Sequence, residues 1–154
     1  GWTSLISSFL CYWNDRMSTN FYDAFSRHDA DADLLLKNGR WANADHHYGL
    51  AAECALKALL LQQGIPSNNG DISSGKPYRP YRTHINVLWN SYQSFMQKRS
   101  AYTIPANNPF QDWDIAQRYA SKTDITEQAT RNHAAAVGTL KQIIRQAVLD
   151  GVLP

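Results

Sequence analysis

WANADHHYGLAAECALKALLLQQG, residues Trp41 to Gly64, is an alanine- and leucine-rich run of strong helix formers, closed by the stop Gly64-Ile65-Pro66. Inside its apolar part stand one acid and one base, Glu53 and Lys57. Four residues apart, they share a helix face in the favoured order, with the acid on the N-terminal side. Two readings of a charged pair in such a helix stand side by side. One is a structural ion pair that snorkels to the rim of a bundle; the other is a polar pocket at the bundle's edge.

Upstream, Phe21, Ala24, Phe25, Ala32, Leu35 and Leu36 recur at helical spacing from Asn20 to Lys37, and Asn38-Gly39 supplies a left-handed stop. The connection to Trp41 is so short that the two helices are expected to form an antiparallel hairpin. Ala44, Gly49, Ala51, Ala52, Ala55 and Ala58 permit close approach of neighbours. The charged run RHDADAD, residues 27 to 33, reads as a solvated face. Its residues 29, 31 and 33 point in different directions on a helix, which argues against a carboxylate cage for a cation.

Downstream, residues 65 to 82 are rich in Pro, Gly, Ser and Asn and read as a long loop. Thr83 is placed to cap a helix with the apolar stripe Ile85, Leu88, Trp89, Tyr92, Phe95 and Met96. Residues 100 to 112 read as a second loop, and Trp113 to Ala120 as a short helix. Asp124 and Glu127 form a capping-box pattern for a last helix that turns Ile125, Ala129, Ala136, Leu140, Ile143, Ala147 and Val148 inward, closed by Asp150-Gly151. No strand pattern or internal repeat stands out. The expected class is all-α, an antiparallel, up-and-down helical bundle of four to five helices.

At 154 residues the chain has room for one domain with its own core. A net charge of +2 is too near neutral to argue for nucleic acid by itself, and no apolar run reaches the ~18 residues of a membrane span. Two cysteines, Cys11 and Cys54, make neither a disulfide framework nor a metal site. Cys54, on an apolar helical face, reads as an inert small hydrophobe, and a reducing, cytoplasmic compartment is expected. WTSLISSFLCYW near the N-terminus lacks the basic leader of a secretory signal. Residues 1 to 16 are read as a helical extension of a domain spanning 17 to 154. Met17 before the capping Ser18-Thr19-Asn20 is one expected start of the product; the other reading is an amphipathic helix that packs on the domain or on a partner subunit.

The run Tyr48-x4-Glu53-x3-Lys57-Ala58-Leu59-Leu60, then Thr83-His84 opening a helix, then Arg118-Tyr119, resembles the HEPN superfamily of small all-helical domains, and the nucleotidyltransferase-associated type most closely. These signals span roughly residues 20 to 150. The resemblance implies pairing through the long helices into a homodimer, to which Trp2, Phe9 and Trp13 would contribute. It also implies a nucleotide or RNA ligand, or a nucleotidyltransferase-like protein partner in a toxin and antitoxin type system. Ribonuclease members carry Arg-x4–6-His on a late helix, the histidine acting as acid or base and the arginine stabilising the pentavalent phosphate. This chain departs from that pattern: Arg118 has no histidine until His133, and Arg131 lies two residues before it. Ala120 follows Arg118-Tyr119 where proline is frequent. The literal spacing occurs once, at Arg40 and His46, with His47 also in the window, but on an early helix.

The residues themselves supply three further candidates. Lys76-Pro-Tyr-Arg79-Pro-Tyr-Arg82-Thr-His84 alternates cations with tyrosines, as phosphates and unstacked bases require, or is a solvated loop stiffened by prolines. His84 is either a structural group bonded to a neighbour such as Glu53 or a catalytic one. Arg118 either neutralises an internal carboxylate or binds phosphate. Asp45-His46-His47 diverge on a helix and suggest no metal, and no phosphate loop, nucleophile elbow or zinc motif occurs.

The expected function is therefore binding of nucleotide or RNA phosphate at an inter-helix cleft of Glu53, Lys57, His84, Arg118 and Tyr119, with Arg79 and Arg82 at its mouth and Tyr78 or Tyr81 stacking on a base. The first alternative is a metal-independent ribonuclease using His84 or His46 with Arg118 or Arg40. The second is the non-catalytic partner module. No cofactor, metal or membrane association is expected.

Overall fold

A computed structural model describes residues 17–154; the N-terminal extension, with Cys11 and the interface expected of Trp2, Phe9 and Trp13, lies outside the described residues. The protein is an all-α helical bundle. Helix α1 spans Phe21–Lys37, α2 Trp41–Gln62, α3 Ile85–Met96 and α4 Glu127–Leu149. No helix among the described residues is long and apolar enough to cross a membrane.

Helix α1 begins where the Asn20 side chain accepts a hydrogen bond from Asp23 N at 3.0 Å. It ends at Asn38, where Gly39 takes the left-handed conformation at φ 72° and turns the chain into α2. The hairpin is antiparallel: the Phe21 ring at the start of α1 lies beside Lys57, late in α2. Helix α2 is the central element. Every residue from Ala51 to Leu60 is buried, which is possible only because neighbours pack around its circumference and its small residues let them approach. Tyr48, Leu56, Leu59 and Leu60 of α2 meet Ile85, Leu88, Trp89 and Tyr92 of α3 and Leu140 and Ile144 of α4 in one core, completed by Phe110 and Trp113.

Helix α4 starts beside the start of α2. The Thr130 hydroxyl donates to the Trp41 carbonyl at 3.1 Å and the Trp41 indole N–H to the Ile125 carbonyl at 3.0 Å, while one turn further along each helix Asp45 meets His133. The two therefore run in the same direction. Helix α3 follows the same sense, with His84 near Glu53 and Tyr92 near Gln63. The antiparallel relation expected throughout holds for α1 and α2. The two long connections carry the chain back before α3 and α4, so both N-termini of α2 and α4 come to one end.

Several local expectations change. The 65 to 82 segment contains a miniature hairpin, Ser67–Asn68 paired with Asp71–Ile72, whose turn residues Asn69 and Gly70 sit at φ 51° and 81°. Thr19 N donates to Asn69 O across it at 3.0 Å. A 3₁₀ helix, Lys76–Tyr81, follows. Thr83 does not cap α3: its hydroxyl turns back to the Pro80 carbonyl, and His84 holds the N-cap position. The cap of α4 is Thr126, which accepts from Ala129 N at 3.1 Å, in place of the Asp124 and Glu127 box; the capping box forms instead between Asp114 and Gln117, on the 3₁₀ helix Ile115–Tyr119. RHDADAD is only partly solvated. Asp29 is buried against Lys141 of α4 at 2.9 Å, whereas Asp33 stays exposed while accepting the Tyr48 hydroxyl at 2.6 Å. Both partners are remote in sequence.

Candidate functional site

Polar side chains gather at three levels along α2. The lowest is the predicted pair. Lys57 Nζ lies 3.1 Å from Glu53 Oε2, and His84 Nδ1 lies 2.9 Å from Oε1. Glu53 and Lys57 are 9% and 8% exposed, whereas the His84 side chain is half exposed. Both carboxylate oxygens are occupied, so this group ties α2 to the start of α3 and neutralises its own charge. Cys54 is buried beside it, and burial, followed by the Glu53 charge, pushes its thiol up to about 12; it is inert, as expected.

Arg82 and Arg79 do not form a common mouth with this group. The Arg82 guanidinium donates to the Ile72 carbonyl and reaches Asp71 at 3.5 Å, bracing the miniature hairpin. Arg79 is exposed on the 3₁₀ helix, while Tyr78 and Tyr81 are half-buried against the core, Tyr81 edge-on to Phe95. Arg118 and Tyr119 are exposed too. The Arg118 guanidinium lies 4.9 Å from its neighbour's ring, and its charge acts on His46. His46 precedes Glu53 by seven residues, a rise of about 10 Å.

The middle level was not foreseen. Asp45, buried on α2, sits 2.5 Å from His133 Nδ1, and His133 Nε2 sits 2.7 Å from Asp112 in the connection before α4. Gln117 donates to the second Asp45 oxygen at 2.6 Å, and Phe110 stacks on the imidazole with centroids 4.9 Å apart. His133 is 1% exposed. Burial opposes its charged form, yet the hydrogen bonds and charges of Asp45 and Asp112 prevail and its pKa is raised. The one local signal was a histidine on the apolar face of α4, in step with Val137 and Leu140.

Beside this network three half-buried histidines adjoin. His28 Nδ1 of α1 and His47 Nδ1 of α2 are 3.0 Å apart, His46 packs edge-on to His47, and His46 stacks on Trp113 at 6.1 Å between centroids. His46 Nδ1 is buried without a hydrogen-bond partner. Its pKa is lowered by burial first, then by His47 and Arg118.

The top level is a groove of about 630 Å³ where the first turns of α2 and α4 meet. Arg40, Trp41, Ala42 and Asn43 line one side, Lys122, Thr123, Ile125 and Thr126 the other, and Glu127 completes it. Arg40 occupies the N-cap of α2 and offers no acceptor to the first-turn N–H groups, nor does that turn contain an acid. Glu127 is paired with Arg131 at 3.0 Å. The arrangement can receive an anion between Arg40 and Lys122. Arg40 thus faces this groove, while His46, six residues on, stacks on Trp113 and has Arg118 for its cationic neighbour. No family model, curated protein or solved structure matches the chain.

Proposed function

We propose that the protein binds the phosphate of a nucleotide or of RNA in the groove between the first turns of α2 and α4. The observation that carries this reading is the groove itself, large enough for a nucleotide and flanked by Arg40 and Lys122 with Trp41 in its wall. The two cations neutralise phosphate, the uncapped turn of α2 adds backbone donors, and the indole offers a face to a base. Glu53, Lys57 and His84 support the site indirectly, by fixing the bundle.

The test is fluorescence anisotropy with labelled single-stranded RNA and with nucleoside phosphates as competitors, at several salt concentrations. Arg40→Ala with Lys122→Ala is expected to weaken binding and to flatten the salt dependence by about 0.7 per lost phosphate contact on a log-log plot. Unchanged affinity and slope in that variant would move the ligand elsewhere.

A second reading, a metal-independent ribonuclease, is favoured by His46, whose half-buried ring lies near the Arg118 charge and whose lowered pKa keeps it in the neutral form a general base requires. Its signature is RNA cleavage that survives a chelator and disappears in His46→Gln.

A further inference from the structure

The groove between Arg40 and Lys122 contains one residue that a phosphate site does not call for. Glu127, the first residue of α4, lines it together with the two cations and is the sole carboxylate among the lining residues. A like charge at contact distance weakens the binding of a phosphate by about fivefold even in bulk water. Glu127 therefore costs anion affinity unless the ligand also brings it a donor.

Two features fix what this carboxylate offers. Arg131, one turn further along α4, donates to Oε1 at 3.0 Å and holds the group in one orientation, while no described residue occupies Oε2. The side chain is half exposed, within reach of a ligand. An ionised carboxylate only accepts, so Oε2 calls for a hydroxyl or an N–H. The hydroxyls nearby are already engaged in the turn: Thr126 accepts from Ala129 N at 3.1 Å, and Thr123 is bonded to Ser121 at 3.0 Å.

We infer that Glu127 reads the ribose 2′-hydroxyl of the bound nucleotide, so that the groove selects ribonucleotides over their deoxy counterparts. The inference rests on the phosphate reading of the groove given above and narrows its ligand. In any nucleotide the sugar joins the phosphate to the base. With the phosphate between Arg40 and Lys122 and the base on Trp41, the sugar falls between these anchors, in the groove that Glu127 lines. The Trp41 platform is itself fixed, because its indole N–H donates to the Ile125 carbonyl at 3.0 Å. A carboxylate is a fitting acceptor for the 2′-hydroxyl, the group that distinguishes RNA from DNA. A guanine edge, by contrast, presents two parallel N–H groups and suits a carboxylate with both oxygens free; here Arg131 takes one.

The experiment is competition against labelled single-stranded RNA by adenosine and 2′-deoxyadenosine 5′-monophosphates. It compares the full chain with Glu127→Met and with the Arg40→Ala, Lys122→Ala variant. One hydrogen bond to a partly exposed charged acceptor should make the ribonucleotide the stronger competitor by about tenfold. Glu127→Met keeps the length and helix propensity of the side chain without its acceptor, and should bring the ratio to about one. The ratio is the readout because losing a like charge strengthens both competitors alike and cancels. A Glu127 confined to its pair with Arg131 would leave the ratio unmoved. A ratio near one in the unsubstituted protein, with binding still lost in the Arg40, Lys122 variant, overturns the ribose assignment and leaves the phosphate groove standing. So does a ratio that persists in Glu127→Met. A preference among the four ribonucleotides that Glu127→Met abolishes, with the ratio unchanged, overturns it in favour of the base. If the Arg40, Lys122 variant binds as the unsubstituted protein does, the groove reading fails and the ribose assignment fails with it.

Discussion

His133 of α4 holds its Nδ1 2.5 Å from the Asp45 carboxylate of α2, deep in the bundle. The opposite ring nitrogen meets Asp112, and Gln117 occupies the second Asp45 oxygen. One imidazole therefore joins two parallel helices to the connection that returns the chain between them. Both carboxylates accept, so the ring serves both as a donor only with two N–H groups, as the imidazolium.

This sets the sign of a pH effect. The folded-state pKa of His133 is raised above its unfolded value near 6.5, so its stabilising contribution is complete below about pH 6.5 and is lost as pH rises through the folded value. Denaturant unfolding of wild type and His133→Gln from about pH 5 to about pH 9 should show the stability gap widest at the acid end and narrowing upward. His28 and His46, with lowered values, act in the opposite sense, but they are common to both proteins and cancel in the difference. A gap that widened with pH would mean that His133 is neutral in the fold.

Glu53 and Lys57 give a second test. Removing one member of a buried pair strands the other charge, whereas replacing both with apolar groups removes the problem. Both are at least nine-tenths buried. Glu53→Ala should cost about 3–5 kcal/mol in urea unfolding, and Glu53→Leu with Lys57→Met should recover most of it. A loss below about 1 kcal/mol in the single variant would be that of a solvent-screened surface pair.

How far the sequence speaks follows from where each partner comes from. Helix α2, its ion pair and the Glu53 partnership of His84 were legible because a single helical period or one loop separates the groups involved. Asp29 was misread as solvated because Lys141 reaches it from another helix, whereas Asp33 is exposed as expected even though Tyr48 donates to it. Asp45 and His133 stand 88 residues apart, and neither carries a local mark of the other. The groove was illegible for the same reason: Arg40 and Lys122 become neighbours only because α2 and α4 run in the same direction, which no periodicity encodes. The miniature hairpin was signalled by Asn69-Gly70, a strong turn dipeptide, but its strands are too short to show alternation.

Two glycine substitutions of the same kind should act with opposite signs. In a helix interior, alanine is better than glycine by about 1 kcal/mol where there is room. Gly138 of α4 has nothing within 4 Å of the position a Cβ would take, so Gly138→Ala should stabilise by about 1 kcal/mol. Gly49 of α2 is different, because a Cβ there would fall 2.0 Å from Cε2 of Trp113. The indole has no easy retreat: it is 1% exposed, donates to the Asp45 carbonyl at 3.0 Å and is stacked by His46. Overpacking of about 1–3 kcal/mol should outweigh the gain in helix propensity, so Gly49→Ala is expected to lower stability and to shift the tryptophan emission as Trp113 is displaced. Thermal and denaturant unfolding of the two variants measure both signs at once. If Gly49→Ala were as stabilising as Gly138→Ala, Trp113 would not be seated against α2, and the placement of Arg118 beside His46, which depends on the same connection, would fall with it.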